Sequence, residues 1–280
     1  MPAFVLIDLL RSIHYAIPQT FTRSELLSYS ISSNNDYNTI YSNIVLDSRL
    51  PPPESGTDGA FLALIALLGD IHTLSIVFHP LVIAEQYESG ADGGPKSKSG
   101  TTHFKNSYLP FSPENEKHQV NQRLQKALDL WGQSYLGKVN TETTALFHFC
   151  RMYISLPSLP LLPDIAGYLP RSLDGHTTAT HQTRIVDTDL HGGGSEGLKH
   201  AWLILENVRQ SEGLTPVWIP IVLFYASLVV WRMIGSQAKS GQNGMHGSLL
   251  VLKLFKNELE QMKWPCCEVM VRTLKALMAS

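Results

Sequence analysis

Leu124, Leu128, Trp131 and Tyr135 recur at i, i+4, i+7 and i+11, which draws one apolar stripe down one side of a helix. Leu146, Phe149, Tyr153 and Leu156 repeat the pattern before Pro157 stops it, and Leu252, Phe255, Leu259 and Met262 draw it again. Met270, Leu274 and Leu277 make the last stripe. Each stripe must be buried against another element. No run alternates apolar and polar residues long enough to define a strand. The expected fold is all-α, an irregular multi-helix bundle with long polar loops.

Local signals place the breaks. Thr22-Arg23-Ser24-Glu25 reads as a capping box, with Thr22 as N-cap and Glu25 reaching back. Residues 36–46 read as a short helix, and Pro51-Pro52-Pro53 as an extended break. Residues 59–87 form a long apolar helix expected to break or kink near Pro80. Ser112-Pro113 and Thr215-Pro216 each read as an N-cap followed by a proline in the first turn. Helix resumes over 198–208, and the one after Thr215-Pro216 runs to Trp231. Three polar segments, 89–107, 171–196 and 235–248, are expected to be flexible loops; the second is long for an ordered connection.

Charged residues make up 16% of the chain against the roughly 25% usual in soluble domains. That deficit favours much buried helix over disorder. A net charge of −2 and a pI near 6.6 remove the basic face of a nucleic-acid-binding domain. Cys150, Cys266 and Cys267 are the only cysteines, and none are spaced as C-x-x-C, so no zinc finger is written here. They read as helix-face thiols of a reducing compartment. The N-terminus has no basic n-region, and Asp8 and Arg11 interrupt its apolar run, so it is no signal peptide. Two runs raise the question of a membrane. Residues 60–84 contain Asp70, His72, His79 and Pro80, and 217–231 is shorter than the ~20 residues of a span. Both read as buried core helices.

Several groupings carry chemical possibilities. Gly193-Gly194-Ser195-Glu196-Gly197 matches G-x-S-x-G, in which a nucleophilic serine sits between a buried strand and a helix. The preceding Thr188-Asp189-Leu190-His191-Gly192 is no core strand, and with no aspartate after Ser195 the acid would be a glutamate, followed by His246. Ser195 therefore reads as capping the helix that follows a glycine loop. His176, His181, Asp187, Asp189 and His191 are ligand types that suit zinc, but a Gly/Thr-rich loop fixes no geometry. His72 and His79, near Asp70, read as hydrogen-bonded core histidines. Lys96 and Lys98 are too sparse for a nucleic-acid patch. Trp131, Tyr135, Trp218, Phe224 and Trp231 read as core anchors rather than a cofactor box. No catalytic, cofactor or metal residue is assigned.

The order of segments then becomes informative. Phe21-Thr22-Arg23-Ser24-Glu25-Leu26-Leu27 precedes a polar stretch and the proline turn. Ala127-Leu128-Asp129-Leu130-Trp131 is followed by Leu146-Phe147-His148-Phe149-Cys150-Arg151-Met152-Tyr153-Ile154-Ser155-Leu156-Pro157, then by 216–231 and by 249–277 with its internal Trp264-Pro265. This series resembles the C-terminal half of the fungal-specific transcription factor domain, the regulatory middle homology region of fungal zinc-finger and zinc-cluster factors. It is nearest to members that begin with paired two-Cys two-His fingers. The likeness spans most of the chain loosely and is best after Ala127.

The resemblance implies a nuclear regulator of transcription that is not an enzyme and that reads DNA through an N-terminal zinc module. That module is absent from residues 1–280, which are expected to form one helical regulatory domain entered part-way. Zinc is expected only in the module, with no cofactor in this chain. Partners are expected to be proteins, or a second copy, meeting helical faces, with DNA reached indirectly and no membrane involved. The alternatives from other classes are a serine hydrolase using Ser195 and a helical membrane-associated protein using 217–231.

Overall fold

A computed structural model describes residues 2–15, 17–21, 24–26, 28, 36–52, 54–90, 113–168, 176–211, 213–239 and 245–279. The helices are, in chain order, α1 (Pro2–Tyr15), α2 (Tyr37–Tyr41, continued by a π-helical turn Ser42–Leu46), α3 (Thr57–Gly90), α4 (Pro113–Tyr135), α5 (Thr141–Ser155), α6 (Leu162–Ile165, entered through a 3-10 turn Leu159–Leu161), α7 (His176–Gln210), α8 (Ile219–Lys239), α9 (Met245–Gln261) and α10 (Pro265–Ala279). Among the described residues there is no strand, as the periodicity predicts.

α3 is apolar on every side, the composition of a helix surrounded by protein. Ala60, Leu62, Ala63, Leu64, Leu67 and Leu68 are fully buried around its first turns. Thr57–Val77 is long and apolar enough to cross a membrane, and 67% of its most apolar window is buried inside the bundle. α1, α2, α4 and α5 pack on it. α5 leans on α7, α7 on α8, and α8 on the α9–α10 pair, so the helices wrap one continuous core.

The predicted stripes point into that core. Leu124, Leu128, Trp131 and Tyr135 are buried on α4, as are Leu146, Phe149 and Tyr153 on α5 and Leu252, Phe255 and Leu259 on α9. Trp131, fully buried, donates its indole N–H to the carbonyl of Ala60 at 2.9 Å and so ties α4 to the start of α3. Trp218, just before α8, and Phe224 on it are buried, and Trp231 is half-buried. Asn140 caps α5 by accepting the Thr143 N–H at 2.9 Å. Gly137, at φ 85°, turns the chain out of α4 in the left-handed region that glycine adopts without strain. After α1, Asp8 accepts the main-chain N–H groups of Thr20 and Phe21 at 2.6 and 2.9 Å and folds the chain back.

Five expectations are corrected. The predicted loop 171–196 is mostly helix, since α7 begins at His176 and runs straight through Gly192-Gly193-Gly194. The reason is close packing. A Cβ at Gly197 would sit 2.6 Å from Leu156 Cδ1, and one at Gly193 would collide with the main chain of Ser155. The predicted loop 235–248 shrinks from both ends, because α8 extends to Lys239 and α9 starts at Met245. Helix α8 starts at Ile219, with Pro220 in its first turn, rather than at Thr215-Pro216, whose carbonyls serve other donors: Pro216 that of Ile219 and Thr215 the Trp264 indole. α3 is not broken at Pro80, where a proline removes one N–H from the ladder while the helix continues on both sides. Helix α3 reaches Gly90, so of the predicted loop 89–107 residues 89 and 90 are helical. Residues 91–107, with Lys96 and Lys98, lie outside the described residues, as does Thr22 of the capping box.

Candidate functional site

Ser195 lies on the exposed side of α7, in the middle of a helix that runs from His176 to Gln210, so it neither caps a helix nor stands on a strand-to-helix elbow. A side chain in that setting has no sharp turn to present it and no neighbouring N–H groups free to stabilise an oxyanion, because the helix ladder uses them. The side chain of His246, its postulated base, lies outside the described residues. His176, His181, Asp187, Asp189 and His191 are all carried on the α7 backbone rather than on a loop, and their side chains lie outside the described residues, as does that of His79.

The polar chemistry that the fold does assemble is internal. Ser12 on α1, His72 on α3 and Tyr153 on α5 form a chain, with Ser12 Oγ 3.1 Å from His72 Nε2 and His72 Nδ1 2.9 Å from the Tyr153 hydroxyl. Beside it, Ser75 Oγ–H donates to the Pro157 carbonyl at 2.7 Å, which ties α3 to the end of α5. Burial lowers the His72 pKa to about 4, so the ring is neutral near pH 7, with one nitrogen donating and the other accepting. Ser12 has the partner of an activated nucleophile but is only 4% exposed, so the chain works as a cross-link of three helices.

A second cross-link joins α5 to α7. His148 Nδ1 and His200 Nδ1 are 3.1 Å apart, and their rings stack with centroids 5.2 Å apart. Burial, then the charges of His200, Arg151 and Lys199, lowers the His148 pKa to about 3. Burial, opposed in part by Glu196, lowers that of His200 to about 4. The Glu196 carboxylate stands 3.5 Å from His200 Nε2, outside hydrogen-bonding alignment. His72 is the buried, hydrogen-bonded histidine expected of its apolar helix, but nothing local identifies its partners or the His148–His200 pair, which lie 60 to 81 positions apart in the first network and 52 in the second.

Two clefts stand out on the surface of the described residues. The larger, about 590 Å³, lies between the end of α9 and the face of α10 and is walled by Leu259, Met262, Trp264, Cys267, Val271 and Lys275. Trp264 is 37% exposed, and its indole N–H donates to the Thr215 carbonyl at 3.0 Å, which ties this helical pair to the chain before α8. The second, about 460 Å³, lies where the starts of α3 and α5 converge and is lined by Asp58, Phe61, Lys138, Asn140, Glu142 and Trp218. Among the described residues no group of three or more metal-ligand side chains converges. No protein-family model, curated protein or solved structure matches this chain.

Proposed function

We propose that this chain is a helical regulatory and interaction domain of a fungal transcription regulator, acting in the nucleus on protein partners while a zinc module outside residues 1–280 contacts DNA. One observation carries the reading. The segments that resemble the fungal domain, 127–131, 146–157, 216–231 and 249–277, fall mainly on α4, α5, α8, α9 and α10. These helices share one core, in which α8 packs on α9 and α10. Their outer side keeps a cleft with a half-exposed tryptophan, a side chain enriched where proteins bind proteins.

The test is a tethering assay. The whole chain is fused to an unrelated DNA-binding module and a reporter is read in fungal nuclei. A change of several-fold in either direction, lost with Trp264→Ala at equal protein level, is the expected result. A folded fusion that leaves the reporter where the bare DNA-binding module leaves it overturns the proposal.

A further inference from the structure

Thr215-Pro216 does not start α8, which begins at Ile219, so the pair stands in the connection between α7 and α8. Residues 214–216 are neither helix nor strand, in keeping with the bias of a proline against helical backbone at the residue before it. Gly213, at φ 112°, turns the chain there, and Leu214 is 100% exposed. Thr215 is half-buried, and its hydroxyl has no hydrogen-bond partner among the described residues. Two bonds to main-chain carbonyls hold the segment. Thr215 accepts the Trp264 indole N–H at 3.0 Å and Pro216 accepts the Ile219 N–H at 3.1 Å. Presenting Thr215 outward therefore gives up one indole bond and leaves α7 and α8 in place.

The cations nearby differ in what they already do. Lys256 and Lys275 both pair with Glu260, and Arg272 pairs with Glu268. Lys263 lies on the wall of the same 590 Å³ cleft and makes no ion pair among the described residues. It immediately precedes Trp264, the residue bonded to Thr215. An uncommitted ammonium thus stands one residue from the contact that fixes a partly exposed hydroxyl.

We infer that Thr215 is a phosphoacceptor for a proline-directed serine/threonine kinase, with Lys263 as the cation that receives the phosphate. Among the described residues no other serine or threonine precedes a proline. The kinase is a separate enzyme and magnesium-bound ATP is the co-reactant. Thr215 Oγ1 attacks the γ-phosphorus, one O–P bond forms as the bond to ADP breaks, and the hydroxyl proton passes to the kinase's catalytic aspartate. The product carries about −1.5 to −2 of charge on three acceptor oxygens. A charge-assisted bond from Lys263 to that phosphate adds to the indole bond and draws the connection onto the cleft wall. The acceptor does not depend on the regulatory reading above, although the wall it tightens belongs to the same cleft.

The experiment treats the folded full chain with magnesium ATP and a purified mitogen-activated protein kinase, and maps phosphate by peptide mass spectrometry. A synthetic peptide of residues 209–221 runs beside it. The expected result is phosphate on Thr215 of the folded chain and loss of it in Pro216→Ala, with circular dichroism confirming that the variant folds. Hydrogen exchange over 262–268 should slow several-fold on phosphorylation, and not in Lys263→Gln. Thr215 left unmodified in the folded chain overturns the inference, and the peptide tells whether the fold or the local sequence forbids the reaction. Equal modification of Pro216→Ala overturns the proline direction. Exchange that stays unchanged, or slows equally in Lys263→Gln, overturns the role of Lys263.

Discussion

Gly193 on α7 lies so close to the carbonyl of Ser155, the last residue of α5, that a Cβ added at 193 would stand 2.0 Å from that oxygen. A carbonyl at a helix C-terminus has no partner in its own helix, and here it faces the one residue type without a side chain to exclude it. Four residues on, Gly197 makes the same close approach to Leu156. The expected outcome for Gly193→Ala is therefore the opposite of its effect on an isolated helix, where alanine gains about 1 kcal/mol over glycine. The obstacle is main chain and cannot rotate away, so α7 must move off α5, and the cost is about 2 kcal/mol or more. Chemical denaturation of Gly193→Ala and of Gly192→Ala, whose Cβ would meet nothing within 4 Å, checks this, since only the first should destabilise.

His14 makes the converse case, a polar group that the core does not use. It is 3% exposed, and neither ring nitrogen has a hydrogen-bond partner among the described residues. Its neighbours are the rings of Tyr15, Tyr168, Phe224 and Tyr225, set edge-on with centroids 4.7 to 6.5 Å away. A buried polar group without a partner costs about 1–3 kcal/mol, and an apolar group of similar shape removes that cost. His14→Phe should raise stability by about 1 kcal/mol after allowance for its slightly larger ring. An unchanged or lower denaturation midpoint would count against the burial argument.

Buried histidines also fix how the fold responds to acid. Burial holds His14, His72 and His200 near pKa 4 and His148 near 3, all below the 6.5 usual for histidine. The unfolded chain therefore takes up protons first as pH falls. Stability is complete above pH 6.5, declines below it and goes on declining until the folded values are reached. A histidine held that far below its usual range contributes about 3 kcal/mol. His148 and His200 titrate as a facing pair, with Glu196, Arg151 and Lys199 around them, so their parts do not add. Even two such sites rival the 5–15 kcal/mol of a whole domain. Unfolding followed by circular dichroism from pH 7.5 to 4 should show loss of structure before pH 4, with a shallower slope in His14→Phe.

What the sequence made legible was whatever repeats along one helix. The stripe at 124, 128, 131 and 135 and the stop at Pro157 need only local periodicity and a missing N–H, and both hold. The glycine run misled because glycine is a poor helix former taken alone, while inside the fold its lack of a Cβ is what the α5–α7 crossing requires. The signal for it was present in the four-residue spacing of Gly193 and Gly197, which puts both on one face. The Ser12–His72–Tyr153 chain and the His148–His200 contact had no such signal. They are decided by which helices meet, and a single helix's pattern contains no information on its partner.

Trp131 tests whether that meeting of helices depends on polar as well as apolar contact. Its ring stacks on Phe147 of α5 with centroids 5.2 Å apart, and its N–H reaches the Ala60 carbonyl on α3, so one side chain joins three helices. Trp131→Phe keeps an aromatic ring but removes the donor and part of the volume. The lost hydrogen bond is worth about 1 kcal/mol, and the unfilled volume of a partial truncation adds a further 1–2 kcal/mol. Trp131→Ala loses the stack as well and should cost about 3–5 kcal/mol, enough to unfold a marginal domain. Urea titrations of the two variants separate the contributions: a Phe variant as stable as the parent means the indole N–H contributes nothing, and a loss as large as the Ala variant's means the bond to Ala60 dominates over packing.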